Sequence, residues 1–336
     1  MRIDRVASTA LFFSLVLNPL QSSATENVSV AVQWLERMMD AARHLNYQGT
    51  FVYMRNGDMD SMRVLHKYDE RGEQERLVSL NGDGRQVIRN NDHVVCLLAK
   101  GQQLVLDNQR RANSRLTAFP PIRGAELSRL GQHYQFEVSA EDRVAGRVAK
   151  IISIQPKDEY RYGYRLWIDR ENGLLLKSNI LDKNGNIMEQ LMFTSMELVD
   201  SIPDQMFKIA DSIVAASEAK KERPGVRSDK EIQWKVAGIP KGFTTKNHTH
   251  HQLSNGSLVQ HVVMSDGLAA VSVFIEKSSA NVESTPTGAA QSGILSTYTS
   301  IVNNFKVLAV GEVPMKTVQI IANSVNMSET TQPGPK

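Results

Sequence analysis

The sequence predicts a mainly β protein with some α: a curved antiparallel sheet, or unclosed barrel, wrapped on one helix and followed by a smaller α+β domain. Three observations carry this. Short alternating runs bounded by turn residues recur at nearly regular spacing from Thr50 to Leu98 and resume from Arg147 to Leu198, which is the pattern of a strand meander. A single long helical stripe precedes them, with apolar residues at Ala31, Leu35, Met38, Met39, Ala42 and Leu45; spacings of three and four place these on one face. The length of 336 residues suits two domains at about 100–200 residues each.

Composition bounds the function. Hydrophobic residues make up 41% and charged residues 22%, a globular balance and not that of a disordered chain. With 39 basic against 36 acidic residues the formal net charge is +3, too even over this length for a nucleic-acid binder. A single cysteine excludes an intramolecular disulfide framework and any Cys-pair zinc site.

The elements follow in order. Residues 1–24 read as a secretory signal: basic Arg2 and Arg5, the uncharged run Val6 to Leu17, a break at Asn18-Pro19, and small residues Ser22-Ser23-Ala24. The apolar run is well short of the ~20 residues that span a bilayer, and no later segment is apolar enough, so the mature chain is expected to be exported without a membrane span. After the helix, which Asn46 and Gly49 end, strands are expected at Thr50–Arg55, Met59–Tyr68, Arg76–Leu80, Arg85–Arg89 and His93–Leu98. Turn signals such as Asn56-Gly57 separate them. Residues 107–119 are polar and basic and read as a loop or lid, and Pro120-Pro121 excludes regular structure. A short helix near Ala125–Leu130 precedes strands at Arg147–Ile154, Tyr160–Asp169, Leu174–Leu181 and Ile187–Leu198. In the second of these Tyr160, Tyr162, Tyr164, Leu166 and Ile168 alternate with Arg161, Gly163, Arg165, Trp167 and Asp169, placing the aromatics on one face.

The larger domain is thus expected over 25–210. Residues 211–230, rich in charge and poor in large apolar groups, read as an interdomain linker. A smaller domain over 231–327 carries strands at Leu258–Met264, Ala269–Glu276, Ser296–Ile301 and Phe305–Val310. Pro314 opens its last helix, with the stripe Val318, Ile321, Ala322 and Val325. Residues 328–336 form a polar tail.

The chain shows no sign of catalysis. It lacks a nucleophile elbow, a phosphate-binding glycine loop and a His-Glu-x-x-His zinc motif. Cys96 lies in an apolar run with no activating cation beside it and reads as inert. His248, His250 and His251 read as a solvated polar loop without matching ligands, so no metal is expected. Asp182 to Asn186 places glycine at the fourth position instead of the sixth and has no twelfth-position Glu, so it is a hairpin turn and not a calcium loop. No cofactor is implied.

The apolar and aromatic face is more informative. Phe51, Tyr53, Met62, Val64, Tyr162, Tyr164 and Met192 are candidates to line the concave side of the sheet. Each alone is expected to pack the helix. Together, on a curved sheet with one long helix, they offer room for an acyl chain, and methionine suits a deformable site. Replacing Tyr162 and Tyr164 by Asp is expected to abolish a lipid response and to leave the fold intact.

An ordered set of segments resembles the MucB/RseB family of periplasmic sigma-factor regulators: Tyr47–Arg55 (YQGTFVYMR), Ser61–His66 (SMRVLH), Glu75–Leu80 (ERLVSL), Val87–Asn90 (VIRN), Tyr164–Asp169 (YRLWID) with Gly173-Leu174-Leu175, Ser265–Glu276 (SDGLAAVSVFIE) and Val310–Pro314 (VGEVP). The match covers essentially the whole mature chain. The resemblance implies a first domain similar to the LolA/LolB lipoprotein carriers, an unclosed barrel with a helix across its mouth. It also implies a partner, the periplasmic part of an RseA- or MucA-type anti-sigma factor, shielded from a DegS-type site-1 protease. Lipopolysaccharide or lipid acyl chains would act as the releasing ligand. By linkage, a lipid lowers partner affinity only by its preference for the partner-free form. Phe274 and Tyr298 are the candidate partner anchors, because interface cores favour aromatics. Two other classes stay open: a periplasmic lipid or lipoprotein carrier, against which the second domain argues, and an exported hydrolase, which needs an activated nucleophile. A homo-oligomer is possible on this reading.

Overall fold

The structure is a computed structural model that describes residues 20–91, 93–98, 103–106, 127, 129–208, 234–252, 257–278 and 287–327. The signal segment before Leu20, the basic stretch 107–119, residues 125, 126 and 128 of the helix expected at Ala125–Leu130, the linker 211–230 and the tail 328–336 lie outside the described residues.

Helix α1 (Leu20–His44) begins before the expected stripe and crosses the expected cleavage point after Ala24. Its fully covered positions are Ala31, Leu35, Met38 and Ala41, while Met39 and Ala42 are half-buried. Arg43 and His44 in the last turn face the negative end of the helix dipole.

The strands after it form one open sheet. They are β1 (Tyr47–Arg55), β2 (Asp58–Asp69), β3 (Gly72–Ser79), β4 (Gln86–Asn90), β5 (His93–Leu97), β6 (Gln103–Leu106), β7 (Tyr134–Val144), β8 (Arg147–Pro156), β9 (Gly163–Asp169), β10 (Leu175–Leu181) and β11 (Ile187–Leu198). The order is β6-β5-β4-β3-β2-β1-β11-β10-β9-β8-β7, eleven strands in all. Two antiparallel meanders are therefore stitched together where β1 pairs with β11, at the middle of the sheet. Among the described residues β6 and β7 are left as edges, so the sheet is unclosed, as expected. Bulges interrupt the register at Thr50/Phe51, Ile180/Leu181 and Val138/Glu141, and each bends its strand. Asn56 and Gly57, both at positive φ (55° and 85°), make the tight β1–β2 turn.

Strands β6 and β7 were not among the expected ones. In β7 the alternation fails after Val138, where the chain bulges and continues with exposed Glu141, Asp142 and Arg143. On the sheet face opposite α1, a short 3₁₀ turn at Asp204–Phe207 buries Phe207 and Ile202 against Leu65.

The second unit is a sheet of six strands: β13 (Thr244–Gln252), β14 (Leu258–Ser265), β15 (Ala270–Lys277), β16 (Gly288–Ser292), β17 (Leu295–Val302) and β18 (Phe305–Gly311), in the order β13-β14-β15-β18-β17-β16. Beside it β12 (Trp234–Val236) pairs with β19 (Val325–Met327). Helix α2 (Met315–Asn323) follows Pro314 and buries Val318, Ile321 and Ala322, against Val271, Val273, Val307 and Ala309 of the sheet. Val325 is buried as expected, but in β19, because the helix stops at Asn323.

The histidine segment is a correction. His248, His250 and His251 lie in edge strand β13, not in a solvated loop, and His250 is buried. Pairing with Val262, Gln260 and Val259 of β14 holds them in register. Among the described residues no group of three or more His, Cys, Asp or Glu is arranged to hold a metal, and no helix is long and apolar enough to cross a membrane.

Candidate functional site

The face of the first sheet that carries α1 is built from cross-strand rows. One row runs Arg55, Glu189, Ile180, Tyr164, Ile154, Phe136 across β1, β11, β10, β9, β8 and β7. Because side chains alternate along a strand, Phe51, Tyr53, Leu191 and Phe193 share that face.

The expected lipid-lining residues fall into three groups. Phe51, Met62 and Val64 are buried with Tyr47, Leu77, Leu191 and Phe193, and Tyr53 packs half-buried beside them under the C-terminal turns of α1, where Ala41 lies. Tyr162 and Tyr164 belong to a second cluster on the same face, with Ala31, Leu35 and Met38 of α1 and Leu166, Ile168 and Ile180. Met192 is on the opposite face: it pairs with Val52 and packs against the cluster of Val144, Ala149, Trp167 and Leu176. The physical reason is its even position in β11, between inward Leu191 and Phe193. Burial pushes the phenols of Tyr162 and Tyr164 up. For Tyr53, burial and then its hydrogen bond to Glu189 do the same. Half-buried Cys96 has its thiol raised by burial, against a thiolate role.

Phe274 and Tyr298 do not share a face. Phe274 sits across from Leu308 and stacks on His261 with ring centroids 4.3 Å apart. Tyr298 sits across from Ala309 and packs, half-buried, on the α2 side.

What the sequence reading missed is the joint between the two units. Leu268, in the β14–β15 turn, and Ile294, in the β16–β17 turn, enter the cluster of Tyr162 and Tyr164. Beside them Arg161 and Asp266 form an ion pair in which both side chains are 0% exposed. Arg161 Nε donates to Asp266 Oδ2 at 2.5 Å, its Nη2 donates to the Lys241 carbonyl at 2.5 Å, and its Nη1 donates to Asp158. Tyr134 OH donates to Asp266 Oδ2 at 3.0 Å, and the guanidinium lies 4.8 Å from the Phe243 ring centroid. Asp266 Oδ1 also accepts the Leu268 and Ala269 backbone N–H groups. Burial opposes the charge on Arg161, but hydrogen bonding and attraction to Asp266 outweigh it, and the group is held above its ordinary pKa. Such a pair persists only when every donor is satisfied. Around it, Thr317 Oγ1 donates to the Tyr160 carbonyl at 2.8 Å, and Lys316 pairs with Glu159.

At the other end of the joint, Tyr53 OH donates to buried Glu189, whose Oε1 accepts the Ile294 N–H at 3.3 Å. Gln291 Nε2 donates to Tyr162 OH at 3.4 Å. Arg161 escaped the sequence reading because β9 begins only at Gly163, so the alternation assigned to Tyr160–Asp169 does not reach it. The signal for Ile294 was the apolar pair Ile294-Leu295 set directly after Gly293, where a hairpin turn is ordinarily polar.

An open, helix-covered sheet clamped by a second α+β unit is the construction of a binding protein with two coupled parts. Comparison with known families makes this specific. The MucB/RseB N-terminal domain matches residues 30–210 and the MucB/RseB C-terminal domain matches residues 228–326, so the chain belongs to the MucB/RseB family. The sigma-E factor regulatory protein RseB of Haemophilus influenzae is 30% identical over 94% of this chain and 96% of its own length. The sigma factor AlgU regulatory protein MucB of Pseudomonas aeruginosa is 29% identical over 95% and 98%. A solved Pseudomonas aeruginosa MucA/MucB complex superposes with a TM-score of 0.67 at 27% identity, covering 90% of this chain and 100% of that one.

Proposed function

We propose that this chain is a periplasmic negative regulator of an envelope-stress sigma factor. It binds the periplasmic part of a membrane anti-sigma factor, shields it from site-1 proteolysis, and lets go when a lipid or lipopolysaccharide acyl chain occupies the α1 face of the first sheet. The observation that carries the reading is the likeness, across both units, to a MucB solved together with MucA. Membership of a regulatory family supports a binding role without catalysis. An exported chain divided at a linker over 211–230, with signal segment 1–24 removed, fits the same reading. Phe51, Tyr53, Met62, Val64, Tyr162 and Tyr164 are the proposed acyl-chain residues. For the partner, Phe274 is the better anchor, since it lies on the sheet face away from α2, and Tyr298 the poorer one.

The test is a fluorescence-anisotropy titration of the mature protein against a labelled periplasmic segment of the neighbouring anti-sigma factor, with and without lipopolysaccharide. Saturable binding reversed by lipopolysaccharide is the expected result. Binding that ignores lipopolysaccharide removes the lipid half, and no binding overturns the regulator.

A further inference from the structure

The β16–β17 hairpin is an arm held by its tip. All five residues of β16 are exposed, and it is the edge strand opposite β13 in its sheet. Yet Gly293 and Ile294, at the turn, are buried, while Leu295 beyond them is exposed again. The buried pair does not enter the core of its own unit. Ile294 joins the cluster containing Tyr162, Tyr164, Ile180 and the α1 residues Ala31, Leu35 and Met38, and its N–H is held by Glu189. The turn favours glycine: Gly293 has a φ of 58°, and a Cβ there would lie 2.5 Å from Glu189 Oε1 and 2.8 Å from Arg55 Cδ, so both side chains would have to move.

We propose that this tip is an internal stopper seated in the acyl-chain face of the first sheet, so that a ligand enters by lifting it and ligand entry loosens the joint between the units. The inference rests on the lipid half of the function proposed above. Of the bodies covering the face, the tip is the cheapest to remove. Displacing α1 uncovers four fully buried side chains together with their backbone, whereas lifting the tip uncovers Gly293 and Ile294, frees one N–H and gives up the Gln291 hydrogen bond to Tyr162. The acyl chain then replaces what it removes, covering Tyr162, Tyr164 and Ile180 with methylenes. Glu189 keeps the Tyr53 hydroxyl as its donor throughout. A ligand that binds only the lifted state shifts the equilibrium by its whole binding energy, and the closed fraction weakens its apparent affinity in proportion.

The experiment uses the full mature chain and the fluorescent fatty acid 11-dansylaminoundecanoic acid as probe. Ile294→Ser removes the apolar plug, and Gly293→Ala strains the left-handed turn and crowds Glu189 and Arg55 while keeping the Ile294 side chain. Both variants are expected to bind the probe more tightly than wild type, Ile294→Ser on the order of tenfold. Saturating probe is expected to raise amide hydrogen exchange at 288–295 in wild type. Equal or weaker probe affinity in both variants, or unchanged exchange at the tip, overturns the stopper while leaving the lipid site standing. If no version takes up the probe, stopper and lipid site fall together, and the labelled-peptide titration still decides the regulator.

Discussion

Arg161 and Asp266 show how much a single pair can hold. Both are fully covered, and they come from different units. Replacing Arg161 by Met keeps the aliphatic stem but strands a buried carboxylate, which costs about 3–5 kcal/mol. Adding Asp266→Asn removes that charge and preserves an acceptor for the Leu268 and Ala269 N–H groups, so the double variant is expected to recover part of the loss. Urea unfolding followed by tryptophan fluorescence measures both; a double variant no more stable than the single one would show that the stranded charge is not the cause. The same scale corrects an expectation. Tyr162 and Tyr164 are 4% and 5% exposed inside the first core, so Asp at either site buries an unpaired charge and cannot leave the fold intact. Tyr162→Phe is the usable variant, deleting only the hydroxyl that Gln291 reaches. Individual inward residues such as Phe51 and Val64 were legible because period two sorts them once the strand is placed. Met192 was not, because one position along β11 separates the two faces.

Strands announce themselves when turn residues bound an apolar-rich run: Asn184-Gly185 precedes β11, which runs over Ile187–Leu198 as expected. Strand β13 does not announce itself. Its sequence TTKNHTHHQ has no apolar alternation, and its place is set by eight pairings to β14, a tertiary cause that local pattern cannot carry. β16 is hidden for the same reason, being a short edge of small residues, Gly-Ala-Ala-Gln-Ser, all of them exposed. Helix α1 is the opposite case, legible through its stripe, and its energetic role can be checked. Leu35 is 0% exposed and packs with the Tyr162 and Tyr164 cluster. Leu35→Ala therefore leaves a cavity, and a loss of about 2–5 kcal/mol is expected in urea unfolding. Met39→Ala, at the half-buried margin of the stripe, should cost clearly less; similar losses at the two sites would mean that the helix does not seal this face.

At the scale of the whole molecule the sequence could yield two units and their order, but not how they meet. The joint is made by turns, Asp266–Leu268 and Gly293–Ile294, whose partners lie more than a hundred residues away. It also contains the one group there whose ordinary pKa lies near neutrality. His133 rests against the backbone of Gly242 in the second unit. Its pKa is lowered, first by burial and then by the charge of Arg161, with Lys241 acting in the same direction and Asp266 and Asp158 opposing. A histidine whose folded pKa lies below its unfolded value of about 6.5 takes up its proton more readily when the joint is open. Above that pH both states are neutral and His133 contributes nothing to pH dependence. As pH falls through about 6.5 the open or unfolded state binds the proton first, so docking weakens progressively until the folded pKa is reached. Mild acid should therefore loosen the two units before it unfolds either core. Thermal midpoints measured between pH 7.5 and 5.5 are expected to fall more steeply for the native chain than for His133→Gln, which cannot titrate. Parallel slopes for the two proteins would remove His133 from the acid response.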